Sequence, residues 1–175
     1  MEGRDLVASD LELAEGQSPR EFIASQLRTQ LTPLLGEEAA QSATDCELMD
    51  PIAYTLFPNF APWMAAGPSL VYRFRPNGDD HESSIIDVYF LSPVPPGTEK
   101  PAPAKIHYLE EDQEWTDAEE LGRLGPVLNQ DAYNIPEVQR GMKALKNFRR
   151  GLMMSRYQES RIRHFHQTLT EYVSK

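Results

Sequence analysis

Cysteine is almost absent from this sequence, and its scarcity excludes several classes of site. Cys46 is the single cysteine, so the chain has no internal disulfide, no zinc site of the two-CxxC kind and no cysteine-held iron–sulfur cluster of its own. Its surroundings, TDCELMDP, contain no histidine that could activate a thiol. We therefore expect Cys46 to be a small buried apolar residue and not a nucleophile.

Long apolar runs and an excess of positive charge are also missing. No run approaches the ~20 residues of a membrane span, and MEGRDLVASD lacks a signal-peptide core, which predicts a cytoplasmic protein without membrane contact. A net charge of −10 over 175 residues argues against a nucleic-acid partner. The basic stretches KALKNFRR (143–150) and SRIRHF (160–165) are predicted to be solvated helix faces.

The short motifs of common enzymes are absent as well. The chain has no GxSxG, no HExxH, no GxGxxG and no Gly-rich phosphate loop. His164 and His166 have the spacing of an HxH pair, but residues two apart on a helix point to nearly opposite sides and cannot easily hold one ion. His81 is expected in a solvated turn and His107 on a strand.

The sequence begins with an N-terminal helical segment, which we assign to residues 1–50. Ser18, Pro19 and Glu21 have the spacing of a capping box with proline at the first helical position. Pro33 should kink or end this helix, and Gly36 should close it. Residues 37–50 are either a short helix or a covering loop.

From Pro51 onward the period becomes alternating, which predicts antiparallel strands. The turn dipeptide Asn77-Gly78 favours a hairpin between two of them. A proline-rich connection, residues 93–104, is predicted to be an extended surface loop. The predicted strands are residues 52–57, 69–75, 82–92 and 104–112.

Two further capping boxes, TDAE (116–119) and SRYQ (155–158), introduce C-terminal helices. The second should lead a long amphipathic helix. A helix, then strands, then helices is the order of an α+β domain, which we assign to residues 51–175. The buried stripe expected of the last helix is Ile162, Phe165, Leu169, Tyr172 and Val173.

Asp131 is the one acidic residue in an apolar row. The other members of the row, at the spacing of one helix face, are Leu124, Leu128, Ile135, Val138 and Met142. Pro136 should divide this helix into two pieces or kink it. Asp131 is then either a helix-end cap, a residue exposed by the kink, or a metal ligand or general base in a pocket. A carboxylate there suits divalent iron, manganese or magnesium.

Three stretches together resemble one family. LNQDAYNIPEVQRGM (128–142), YTLFPNFAPW (54–63) and YQESRIRHFHQTL (157–169) are similar, in this order, to segments in the C-terminal part of the catalytic domain of Rieske-type aromatic-ring-hydroxylating oxygenase large (alpha) subunits. The resemblance implies a helix-grip (START/Bet v 1-like) fold, in which antiparallel strands surround a long C-terminal helix. The function it implies is O2-dependent hydroxylation of an aromatic compound.

The resemblance also implies a metal site. It would be a mononuclear Fe(II) held by two histidines and one aspartate, with Asp131 as that aspartate and no other catalytic residue on this chain. Asn129 or Gln130 would tune the iron from outside its ligand set. Phe57, Asn59 and Trp63 would line the substrate cavity, although Phe57 and Trp63 also suit plain core positions.

The departures from the family are equally definite. The histidine motif D/E-x-x-H-x-x-x-x-H has no match, and the [2Fe-2S] Rieske cluster needs two cysteines and two histidines in an N-terminal domain absent from this sequence. We therefore expect a truncated portion of a catalytic domain, or a natural short gene product, that binds no cofactor tightly by itself. In the intact enzyme, the expected partners are an aromatic substrate, a ferredoxin or reductase, and further subunits of a homo- or hetero-oligomer.

Two other hypotheses stay open from the sequence. The chain could be a stand-alone helix-grip module that binds a hydrophobic small molecule without catalysis. It could also be a scaffold or pseudo-subunit that meets a partner through its long helix.

Overall fold

A computed structural model describes residues 13–145 and 152–175. The chain divides after Ala102 into a sheet unit and a helical unit, which begins at Pro103. Among these residues, the sheet unit holds three helices and then four strands, and the helical unit holds 3-10 helices and two longer helices. This content, with an open four-stranded antiparallel sheet and a long helix, confirms the predicted α+β class.

The first helix, α1 (Pro19–Leu35), begins as its sequence predicts. The Ser18 hydroxyl accepts a hydrogen bond from the Glu21 amide at 3.2 Å, and the Glu21 carboxylate accepts one from the Ser18 amide at 2.8 Å. The Ser18 amide, and after it the Ser18 hydroxyl, donate to the Glu21 carboxylate and hold the pKa of Glu21 below its usual value. The helix runs through Pro33 and ends at Gly36, whose φ of 86° suits glycine.

The ambiguous segment 37–50 consists of two short helices, α2 (Glu37–Ser42) and α3 (Asp45–Met49). A capping box between Thr44 and Glu47 opens α3. Ala24, Ala40 and Leu48 are buried, so the small core of this helical corner uses one residue from each of the three helices.

The sheet has the order β1-β2-β3-β4 and is antiparallel throughout. The predicted hairpin is confirmed, with Gly78 at φ 61° in the turn between β3 and β4. The 52–57 prediction also corresponds to extended backbone, since Tyr54 and Leu56 continue the pairing of β1 with β2. The strands are β1 (Ile52–Ala53), β2 (Phe60–Met64), β3 (Ser69–Asn77) and β4 (Asp80–Leu91).

The predicted strand over residues 104–112 is wrong. Residues 101–110 have no regular secondary structure, and the side chains of Ile106 and Tyr108 are both 74% exposed. Alternation alone does not make a strand, because a strand needs a neighbouring ladder, and the described part of the helical unit contains none.

The helical unit begins with two 3-10 helices, Trp115–Asp117 and Glu119–Leu124, followed by α4 (Gly125–Ala144) and α5 (Ser160–Val173). The predicted TDAE box is wrong, because the helix at that point is short and 3-10 and its capping pair is Glu114 with Asp117. The predicted division at Pro136 is also absent: α4 is one helix of 20 residues.

The last helix starts later than its predicted box. Ser155 pairs with Glu159, four residues on, through two backbone-to-side-chain hydrogen bonds. Its predicted stripe is present but not buried, since Phe165 is half-buried while the other four members are exposed. An apolar stripe is buried only against a facing layer, and the described part of this unit has no sheet to supply one. Of the basic stretch 143–150, residues 146–150 lie outside the described part of the chain.

Candidate functional site

Asp131 lies inside α4 and is exposed. It is therefore not a helix-end cap. The apolar residues that follow it on the same face, Ile135, Val138 and Met142, are 52%, 53% and 48% exposed. Asp131 thus stands at the head of an exposed apolar row, and we call these four residues the Asp131 row.

The start of α4 is held against the chain that precedes it. A side chain on Gly125 would meet the backbone of Trp115 and Thr116 at 3.2 Å, so the helix begins in close contact with that turn. Leu128 and Ala118 are the buried apolar residues of this region, at 6% and 5% exposure.

Asn129 is half-buried and hydrogen-bonds to the same turn. Its Oδ1 accepts from the Trp115 amide at 2.7 Å, and its Nδ2 donates to Glu114 Oε2 at 2.7 Å. Gln130, the other residue expected to tune a metal, is exposed next to Asp131. The sequence marked Asn129 for its nearness to Asp131, whereas the structure shows bonds to residues 114–116.

Two of the histidines lie beside a carboxylate, and a third lies against an aromatic ring. His107 Nδ1 lies 2.8 Å from Glu120 Oε1, and His81 lies beside Glu82. His166 stacks edge-on against Phe165. Within residues 13–145 and 152–175, no three histidine, cysteine, aspartate or glutamate side chains form a group able to hold a metal ion.

The expectation that Cys46 is buried is wrong. Its side chain is exposed, and its sulfur lies 3.6 Å from a guanidinium nitrogen of Arg20. Arg20 also pairs with Asp50, and this pair raises the pKa of the guanidinium and lowers that of the carboxyl. Leu48 takes the buried position of this short helix, which leaves Cys46 on the polar side.

The residues expected to line a cavity lie around β2. Phe57 and Asn59 flank the turn before it, where the Asn59 side chain donates to the Phe74 carbonyl at 2.7 Å. Trp63 lies within β2, opposite Leu70 of β3. Asn59 therefore ties the turn to β3, and Trp63 belongs to the sheet surface.

One face of the sheet is largely apolar. In an antiparallel sheet, directly opposed residues share a face, and the register therefore assembles one surface across β2, β3 and β4. We call it the apolar face. It is only partly buried; Phe90, for example, is 61% exposed. Its members are Ala61, Trp63, Leu70, Tyr72, Phe74, Ile86, Val88 and Phe90.

The other face of the β3–β4 hairpin carries an ion-pair cluster that the sequence reasoning did not identify. Asp87 accepts from Arg75 at 2.8 and 2.9 Å and from Arg73 at 2.7 Å. Arg73 also lies over the ring of Tyr89. The two guanidinium groups, Arg75 first, lower the pKa of Asp87 to about 2, against the opposing effect of burial. The sequence does contain a pattern that could have predicted this cluster: two arginines, two residues apart on one strand of the hairpin, face an aspartate on the other strand.

None of the helices in the described ranges combines the length and apolar character that crossing a bilayer requires. The fold and the exposed carboxylate define an α+β protein with one candidate metal-ligand position and an apolar sheet surface. Comparison with known families gives a match over residues 6–175 to the ring hydroxylating alpha subunit (catalytic domain).

The match covers nearly all of the chain, which therefore belongs to this family. Membership gives the chain a role in aromatic hydroxylation, and the family implies non-haem iron and a Rieske cluster in the intact enzyme. No match was found among curated proteins or among solved structures.

Proposed function

We propose that the chain is a portion of an aromatic-ring-hydroxylating oxygenase large subunit in which Asp131 supplies the carboxylate ligand of a mononuclear Fe(II). The observation that carries this proposal is the exposed carboxylate of Asp131 at the head of an apolar row, in a chain matched to the catalytic domain over residues 6–175.

The described residues fit one position of such an iron site and not a whole site. A carboxylate oxygen is a suitable donor for Fe(II), but the described residues contain no group of three donors. When iron is bound by two histidines and one carboxylate, it supplies the dioxygen chemistry of the family. Within the described part of this chain, the contribution is to hold Asp131 on α4.

The sheet unit would supply part of the substrate cavity. Trp63 has the most direct support, since the register places it on the apolar face beside Leu70 and next to the aromatic rings of β3. Phe57 and Asn59 would shape the end of that wall through the turn that precedes β2. An aromatic substrate suits such a surface, because aromatic side chains offer large apolar contacts of defined geometry.

Anaerobic titration with Fe(II) tests the assignment of Asp131. We expect the chain alone to bind no iron with submillimolar affinity, because one carboxylate leaves the site short of two ligands. Addition of the chain's sequence to a polypeptide that carries the missing histidine motif should restore stoichiometric binding, and Asp131→Asn should remove it. The matched control Glu137→Gln, also on α4, should keep it. Tight binding that survives Asp131→Asn would contradict the proposal.

In the intact enzyme we further propose a cytoplasmic location, a role in aromatic catabolism, electron delivery by a ferredoxin or reductase, and assembly into a homo- or hetero-oligomer. These features rest on family membership.

A second function, binding of a hydrophobic small molecule without catalysis, is favoured by the exposure of Phe90 on the apolar face. Quenching of Trp63 fluorescence by an aromatic acid, measured in a Trp115→Phe background, tests it. Saturable quenching that is lost in Leu70→Glu would support this function, whereas linear, unsaturable quenching would count against it.

A further inference from the structure

The side chain of Asn129 makes its hydrogen bonds to the turn before α4 and not to Asp131. Its Oδ1 accepts from the backbone amide of Trp115, and its Nδ2 donates to Glu114 Oε2 and, at 3.3 Å, to Thr116 Oγ1. All three partners lie on one short turn, residues 114–116. An asparagine amide offers two donors and one acceptor oxygen, and both kinds of atom are occupied there.

Helix geometry separates Asn129 from Asp131 even though only one residue lies between them. Successive residues of an α-helix are rotated by about 100°, so positions two apart differ by about 200° and point to nearly opposite sides. Gly125, one turn before Asn129, lies on the same side and makes the close backbone approach to Trp115 and Thr116. One side of α4 is therefore clamped to the turn, and the opposite side carries the Asp131 row.

Besides Asn129, the start of α4 is held by the close approach of Gly125 and by buried Leu128, but not by a side-chain cap. Leu124 at its N-cap makes no side-chain capping bond, and Gly122 just before it adopts a non-helical φ of 49° and ψ of −121°. The backbone at Gly122 is free of the constraint that a side chain places on φ, so the connection before α4 does not by itself fix the rotation of the helix. Asn129 adds three hydrogen bonds that oppose such rotation.

We infer that Asn129 is a positioning residue that fixes the rotation of α4 about its axis and so directs the carboxylate of Asp131. The functional importance of this inference rests on the proposed role of Asp131 as an iron ligand. The hydrogen bonds of Asn129 that support the inference do not depend on that role. The inference also states how Asn129 would act on an iron site from outside the ligand set, namely through the orientation of α4, because its bonds go to the turn at 114–116.

The test compares four forms of the full chain: the parent, Asn129→Ala, the control Gln130→Ala, and the double variant Asn129→Asp with Glu114→Gln. The double variant exchanges donor and acceptor between positions 114 and 129, and position 129 still offers an oxygen to the Trp115 amide. Hydrogen exchange of the Trp115 amide, followed by NMR, reports the clamp. We expect exchange about tenfold faster in Asn129→Ala, as for loss of one protected hydrogen bond, and near-parent rates in the other two variants.

A second measurement reports the rotation itself. A nitroxide is attached at Asp131→Cys in a Cys46→Ser background, and its broadening of the amide signals of residues 114–118 is recorded. The label faces away from the turn in the parent, so broadening should be smaller in the parent than in Asn129→Ala and should return to the parent level in the exchanged pair. A merely stabilising role would leave this pattern unchanged.

Unchanged broadening in Asn129→Ala, or a failure of the exchanged pair to restore the parent pattern, would overturn the inference. No metal enters either measurement. If the inference holds and the Fe(II) titration fails, the assignment of Asp131 is wrong and the clamp is real. If the titration succeeds and the broadening does not change, α4 is oriented by something other than Asn129.

Discussion

The sheet unit and the helical unit place their candidate functional residues by different means. In the sheet unit, a backbone ladder of four strands sets which side chains share a face, and Trp63 is placed by register. In the helical unit, Asp131 is placed by the rotation of one helix, which a few side-chain bonds from Asn129 restrain. The comparison predicts that side-chain changes disturb the placement of Asp131 more readily than the placement of Trp63, which depends on backbone pairing.

The largest expected effect concerns the two sides of the sheet. Val71 is 3% exposed, opposite the side that carries the apolar face. Val71→Ala should lower the free energy of unfolding by about 2.5 kcal/mol, through lost burial and the cavity left behind. The control Phe90→Ala, at a 61% exposed position, should change it by less than about 0.5 kcal/mol. Urea denaturation measures both; equal losses would show that the two sides contribute alike.

The ion-pair cluster gives a pH-dependent prediction for the sheet unit. The pKa of Asp87 is lowered to about 2, so the stability from its pairing with Arg73 and Arg75 is complete above its unfolded pKa of about 3.9 and is lost as pH falls through about 2. Asp87→Asn should cost about 1.5 kcal/mol at pH 6. The difference from the parent should narrow between about pH 4 and 2. A constant difference in urea denaturation across that range would contradict the assignment.

The exposure of the Asp131 row can be tested by adding a second metal donor. Ile135 lies one turn after Asp131 on the same face, so Ile135→His should create a carboxylate–imidazole pair that binds Co(II) about tenfold more tightly than the parent. The control Gln130→His places the imidazole on another side and should give no gain. Visible absorption of Co(II) provides the measurement, and Asp131→Asn should abolish the gain. A gain that persists without Asp131 would count against a shared site.

The smallest effect is expected at the start of α1, where the structure agrees with its sequence pattern. Ser18→Ala removes the hydroxyl of the capping box and should lower the free energy of unfolding by about 1 kcal/mol. The control Ser42→Ala, at the other end of this helical corner, should cost less because Ser42 bonds only the Ala39 carbonyl. Thermal unfolding followed by circular dichroism distinguishes the two variants. Equal decreases in their unfolding temperatures would show that the Ser18 hydroxyl does not act as a cap.

Local chemistry was predictable from the sequence where the chain dictates it alone. The Ser18–Glu21 box, the closing glycine at position 36 and the Asn77-Gly78 hairpin each depend on residues a few positions apart, and each is confirmed. The family resemblance, carried by three separate stretches, is confirmed by the match over residues 6–175.

Features that depend on distant neighbours were not predictable in the same way. Residues 104–112 alternate like a strand but have no ladder, and the α5 stripe is amphipathic but exposed. In the sequence, Asn129 cannot be distinguished from an ordinary polar residue on a helix, and only the fold shows its bonds to residues 114–116. The role of Asp131 as a ligand stays a prediction, because it requires donors beyond those described.

The Asp87 cluster has one more consequence, for the behaviour of the chain at high concentration. β4 is an edge of the sheet, and between Ser84 and Ser92 its sequence IIDVYFL contains a single charge, that of Asp87. An edge strand with a long uncharged apolar run invites pairing with a strand of another chain, and one charge within the run opposes such pairing. The carboxylate that joins two arginines within the hairpin is thus also the gatekeeper of β4 against aggregation.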